Sequence, residues 1–202
     1  QMCIRDSNIT IGKVTQSNNV IDKTLEIKQT LTNNNCSHEV GETIIIDNSE
    51  TPNIYIGGHT NVNKPTLYDN SEPIIYKLRQ NLSGETKSFV IDASLVYSEF
   101  GNKNDRISDM FLDTSNNTIY AAVNVNTNST NWDWGIIRVR ETNNVFTVDA
   151  SAIISFGETG KNNYVKSIKL NKENPPSIYM GGYVDTDKLG VVRLTQTEEG
   201  FI

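Results

Sequence analysis

No stretch of this chain approaches the roughly 20 consecutive apolar residues that a membrane-crossing helix needs. Nor does any stretch carry apolar residues at i, i+3 and i+4 over three turns, the mark of a core helix. Histidine and cysteine are scarce, with two of each. So few cysteines argue against a disulfide-stapled fold, and Cys36, in a polar loop with no C-x-x-C partner and no evident base, reads as an incidental thiol. His38 and His59 stand outside any H-E-x-x-H, and no G-x-S-x-G or P-loop occurs. No catalytic residue, metal site or cofactor is therefore expected. Basic residues number 18 against 24 acidic ones, a net charge of −6. That balance argues against nucleic acid as a partner, because phosphate binding relies on clustered Lys and Arg.

What the chain does have is repetition. Ile54-Tyr55-Ile56-Gly57-Gly58 is echoed by Ile119-Tyr120-Ala121-Ala122 and by Ile178-Tyr179-Met180-Gly181-Gly182. Behind each comes an apolar run bearing one cation: Ile74-Ile75-Tyr76-Lys77-Leu78, Gly135-Ile136-Ile137-Arg138-Val139 and Gly190-Val191-Val192-Arg193-Leu194. Phe89-Val90-Ile91-Asp92-Ala93-Ser94 matches Phe146-Thr147-Val148-Asp149-Ala150-Ser151, and Phe100-Gly101 matches Phe156-Gly157. Ahead of each Ile-Tyr lies a short alternating pair, Ile44/Ile46, Met110/Leu112 and Ile168/Leu170. Four segments in register at a period of about 60 residues point to a repeat architecture.

Every segment alternates with period two and is rich in β-branched or aromatic residues, the pattern of strands. Clusters such as Asp47-Asn48-Ser49-Glu50-Thr51-Pro52 and Asp113-Thr114-Ser115-Asn116-Asn117 separate them, and these are turn chemistry. The 26 asparagines suit a turn-dense fold. The chain is expected to be all-β, with four antiparallel strands per unit matching one blade of a β-propeller. The frame predicts a partial blade over 8–40, with strands near 9–16 and 20–31. Blades over 41–98 and 106–155 follow, then an incomplete blade over 164–202 that stops where its fourth strand should begin. About three blades result, with the first strand of each near a central axis and Ile46, Leu112 and Leu170 buried between sheets.

Residues 1–7, Gln1-Met2-Cys3-Ile4-Arg5-Asp6-Ser7, resemble the in-frame translation of a transposon-end sequencing adapter left at a metagenomic contig edge. On that reading they stand outside the fold, Cys3 leaves the count, and both ends were cut by assembly. A signal peptide and sorting domains, as well as the remaining blades, are expected to lie beyond the sequence.

The order Ile-Tyr-x-Gly-Gly, cation-bearing strand, Phe-x-x-Asp-x-Ser, Phe-Gly resembles bacterial β-propeller repeats of the SBBP type and the related delta-sixty type. The likeness runs from about Asn8 onward, and the middle unit departs from it with Ala121-Ala122-Val123 in place of the Gly pair. Kelch repeats are the alternative resemblance: they share the double Gly, but the spaced Tyr and Trp of a kelch blade are not present in every unit here. The resemblance implies a large exported bacterial protein, placed extracellularly, on the cell surface or in the periplasm. It also implies a non-catalytic scaffold for a protein or glycan ligand; the alternative is the propeller domain of a secreted carbohydrate-active enzyme whose catalytic part lies elsewhere.

The repeated Lys77, Arg138, Arg193, Asp92 and Asp149 read as architecture, with the two aspartates accepting hydrogen bonds from a turn. Binding is sought where the units differ, in the connections from second to third strand, which share one face of the scaffold with those from fourth to first. Candidate ligand-binding residues there are His59, Tyr68, Trp132, Trp134 and Asp187. Trp132 and Trp134, two apart, point to one face and either stack on a sugar ring or protein hot spot or pack between blades. Asp185-Thr186-Asp187 lacks the further acidic residues and Gly of a Ca²⁺ loop.

Overall fold

The computed structural model describes residues 9–17, 20–31, 39–61, 71–81, 88–101, 104–128, 131–156, 162–172, 176–185 and 187–202. It is all-β, with no helix among these residues, hence none long and apolar enough to cross a membrane. A hairpin of β1 (Ile9–Ser17) and β2 (Val20–Leu31) comes first. The first sheet is β3 (Glu39–Ile46), β4 (Asn53–Thr60), β5 (Glu72–Asn81) and β6 (Ser88–Val96). The second is β7 (Arg106–Asp113), β8 (Thr118–Asn128), β9 (Asn131–Thr142) and β10 (Val145–Ile154). β11 (Tyr164–Asn171), β12 (Ser177–Val184) and β13 (Lys188–Thr195) form the third. All pairs are antiparallel between chain neighbours, giving meanders of four, four and three strands. The arrangement is compatible with a stretch of propeller, and no ring closure is present among the described residues.

The final residues extend the third sheet. Gln196 bridges Phe201, and Thr195 and Ile202 exchange backbone hydrogen bonds of 2.8 and 3.0 Å. Phe89 and Phe146 pair with Gln80 and Glu141 in the same way near the starts of β6 and β10. Phe201 thus takes the register position at which the fourth strand opens in the other two sheets.

Two turns between first and second strands are built on an aspartate. The Asp47 carboxylate accepts hydrogen bonds from Ser49 N and Oγ and from Asn53 N and Nδ2, and Asp113 Oδ1 accepts from Ser115 N and Oγ. Such side-chain-to-backbone bonds fix the turn that the Asp-x-Ser sequence encodes. Asn117 and Asn143, each at φ 52°, take left-handed positions that Asn tolerates.

Each first strand carries a β-bulge at an equivalent place: the register slips between Gly41 and Thr43, Ile107 and Asp109, and Val165 and Ser167. The slip brings backbone close to the second strand. A Cβ at Gly58 would run into the Val40 carbonyl oxygen, and one at Gly182 into that of Tyr164. The second glycine of each pair is thus a steric requirement of the bulge in the first and third sheets.

The sheets pack face to face. Tyr55 and Ile75 of the first meet Ile107, Met110, Ile119, Ala121, Val123, Ile137 and Val139 of the second. On the second sheet's other face Tyr120, Ala122, Trp134 and Ile136 meet Val165, Ile168, Ile178 and Met180 of the third. Leu112 and Leu170 are partly buried against these clusters, as expected. Ile46 is not: it is 57% exposed. It pairs with Ile54 on the face away from the second sheet, while Ile45 reaches that sheet. Among the described residues the unit before the first sheet is a two-stranded hairpin, with no first strand to face Ile46 as Leu112 and Leu170 are faced.

Asp92 and Asp149 are the extra residues of bulges in β6 and β10. Their partners are arginines on the adjacent third strand rather than a turn. Arg79 Nε donates to Asp92 Oδ1 at 2.8 Å, Arg138 Nε to Asp149 Oδ1 at 2.6 Å, and Arg140 Nε to Asp149 Oδ2.

Two outcomes follow from these contacts. Gly58→Ala should lower unfolding stability by about 1–3 kcal/mol in urea titration, as overpacking against fixed backbone does. Partial burial opposes ionisation of Asp47 and Asp113, but the donors from Ser49 and Asn53, and from Ser115 with Lys172, outweigh it and hold both below the ordinary carboxylate value. With depressed folded pKa values, the stabilisation is complete above the unfolded value of about 3.9 and is lost as pH falls through the folded one. Acid melts should show this loss, and a double Asp47→Asn, Asp113→Asn variant should show less of it.

Candidate functional site

The first and third strands start at one end of the sheets, and the connections from β4, β8 and β12 to the following strands lie there. His59, near the end of β4, places Nδ1 3.9 Å from Glu42 Oε1, Glu42 being the extra residue of the β3 bulge. Asp187 is exposed in the β12–β13 turn, with its N–H on Asp185 O at 2.8 Å. Tyr68 lies outside the described residues.

The two tryptophans share a face but not a depth. Trp134 is 0% exposed. Its ring meets Phe156 edge-on at 4.9 Å, its Nε1–H donates to Tyr183 O at 3.2 Å, and it lies over Gly182 and Gly190, whose missing side chains make room for it. Of the two roles open to it, packing between sheets is the one it occupies. Trp132 is half-buried nearer the end, 5.7 Å from the Tyr164 ring of the third sheet. The Arg106 guanidinium lies over Trp132 at 4.7 Å, and Lys166 Nζ is 5.9 Å from the Tyr164 ring. Arg106, Trp132, Tyr164 and Lys166 therefore form a row, two adjacent rings with a cation at either end, crossing from the second sheet to the third.

A polar network underlies this row. Asp133 is buried and accepts from Thr127 Oγ1, Ser155 Oγ and Asn163 Nδ2, each at 3.2 Å. Asn163 in turn accepts from Asp185 N at 3.0 Å and donates its own N–H to Trp132 O at 2.8 Å. Asp105 holds Asn126 N at 2.8 Å. The side-chain oxygens of Asn124, Asn126 and Asn162 are buried without a hydrogen-bond partner within the protein. Asn124 and Asn126 pair across strands with Trp134 and Trp132, and Asn162 bridges Trp132, so these acceptors gather beside the tryptophans.

Asp109 is not free for chemistry. It takes Met110 N at 2.9 Å, Ile168 N of the third sheet at 3.0 Å and Thr43 Oγ1 of the first at 3.4 Å, tying three first strands together. No three His, Cys, Asp or Glu side chains converge among the described residues. Arg106, Tyr164 and Lys166 were not among the sequence candidates. Their signal is position: each lies at or near the start of a first strand, on the same loop face as the second-to-third connections.

Comparison with protein-family models, curated proteins and solved structures found no match.

The difference in depth between the tryptophans is measurable. Trp134→Ala should cost about 3–5 kcal/mol in chemical denaturation, the range for emptying a large aromatic site. Trp132→Ala should cost less than about half of that, because its ring is only partly removed from water.

Proposed function

We propose that this chain is part of a non-catalytic binding scaffold, a run of bacterial propeller repeats from an exported or surface protein, which holds a protein or glycan ligand at its loop end. The observation that carries the reading is the Arg106–Trp132–Tyr164–Lys166 row. It sets two cations and two aromatic rings across a sheet junction in a chain of net charge −6. Rigid strands hold it, and the buried amide oxygens of Asn124 and Asn126 lie alongside.

Of the two ligand classes, a glycan bearing carboxylates fits this chemistry better. Sugar rings offer apolar faces to Trp and Tyr, and uronate carboxylates meet Arg106 and Lys166. Elsewhere the charged groups serve the fold: Lys77, Arg138, Asp109, Asp133 and Asp149 each make contacts that join strands or sheets. The resemblance to SBBP-type repeats supports an exported bacterial setting.

An oligosaccharide array carrying neutral and uronate-bearing glycans tests the proposal. Uronate-bearing glycans should be retained, retention should fall with added salt, and Trp132→Ala should weaken it by about tenfold or more, the scale of an aromatic hot spot. Affinity unchanged in a folded Trp132→Ala variant, or retention of neutral glycans alone, defeats it.

A further inference from the structure

Strand register makes Tyr55, Tyr120 and Tyr179 equivalent, each in a second strand opposite Lys77, Arg138 or Arg193 of the third. Ile75, Ile136 and Val191 are likewise equivalent, facing Gly57, Ala122 and Gly181. In the first sheet this set grips the second. Tyr55 Oη donates to Glu141 Oε2 at 3.3 Å, and Lys77 Nζ reaches Glu141 Oε1 at 3.0 Å and Asn144 Oδ1 at 2.9 Å. In the second sheet it grips the third. Tyr120 Oη meets Gln196 Oε1 at 2.5 Å, and Arg138 donates to Thr197 O at 2.9 Å and Glu198 O at 3.1 Å. Glu141 and Gln196 are themselves equivalent, both at the end of a third strand and paired with the Phe that opens the fourth.

The third copy of the grip faces outward. Ile75 and Ile136 are buried, but Val191 is 76% exposed, with Leu189 at 87% and Tyr179 at 36%. Tyr183 continues the patch. A contiguous apolar patch marks an interaction surface, and here two interfaces within the same chain show what its residues engage.

We infer that the outer face of the third sheet is a docking surface for one more antiparallel sheet of this same repeat. Tyr179 holds a Glu or Gln at the end of that sheet's third strand, Arg193, which here bonds Ser177 Oγ, lies beside it, and Val191 and Leu189 bury against its first and second strands. These contacts lie away from the loop end and involve no ligand bound there.

Register supplies the test. Ile202 faces Thr195 as Thr147 faces Arg140, so a second copy of residues 148–202 appended after Ile202 continues β13's neighbour as a fourth strand and adds a sheet beyond it. The extended protein should melt in one transition, with Tm raised by about 5 °C or more, and should bind less of a hydrophobic dye than the 202-residue chain. Tyr179→Ala should lower Tm in the extended protein and leave it nearly unchanged in the shorter one. Equal effects in both, or an unchanged Tm and dye signal on extension, overturn the inference. If the extended protein does not fold, judged by circular dichroism, the shorter chain decides. Its dye binding should fall severalfold in a Leu189→Glu, Val191→Glu variant, and a wild-type chain that binds no dye overturns the proposal.

Discussion

A sheet that is apolar on both faces must be covered on both faces, and this constraint organises the molecule. Its second sheet satisfies it fully, with Ile119, Ala121 and Val139 turned to one neighbour and Tyr120, Ala122 and Ile136 to the other, all buried. A single strand pattern cannot do this by alternating apolar with polar residues, which is why the third strands read as near-continuous apolar runs. Burial alone is non-directional. The Tyr and Lys or Arg of each grip add direction, because their hydrogen bonds are met only when the next sheet's third strand ends at one place. Arg138, 1% exposed, is tolerable only because Asp149, Thr197 O and Glu198 O answer its donors.

Asp109 applies the same logic at the first strands. One carboxylate accepts from its own sheet and from both neighbours. The bulge before it turns that side chain and the backbone N–H groups toward each other, so a local irregularity becomes the point at which three sheets register. The equivalent bulges of the first and third sheets leave no room for a Cβ at positions 58 and 182. In the second sheet Val123 fills the corresponding place, and the glycine appears at the facing position, Gly135, where a Cβ would meet Val125 Cγ2 at 2.5 Å.

Much of this was legible in residue order. Strands expected near 9–16 and 20–31 are β1 and β2 almost residue for residue, because period-two alternation and turn chemistry are local signals. Ile46 was misjudged for a non-local reason: which of two apolar faces has a neighbour depends on the adjacent unit, here a hairpin of two strands. The Asp92 and Asp149 partners were missed because a bulge displaces one residue and so changes what stands across the strand pair. The tryptophans show the same limit. Spacing by two put them on one face but could not say that Trp134 lies beneath the third sheet while Trp132 lies at its rim.

That separation explains how one scaffold can hold its shape while its loop end varies. Glu141 and Trp132 occupy opposite ends of β9, and at about 3.3 Å per residue they are roughly 30 Å apart. The grips act at the Glu141 end and in the middle of the strands, so the sheet angle is set far from the loops. At the Trp132 end the Asp133 network, together with Asp105 on Asn126 N, fixes the backbone. Arg106, Trp132, Tyr164 and Lys166 meet one another at the rim of the junction, whereas Lys77 and Arg138 hold the end of the neighbouring sheet's third strand or the chain just after it. A change at the rim disturbs no grip, whereas a change at a grip moves every rim beyond it.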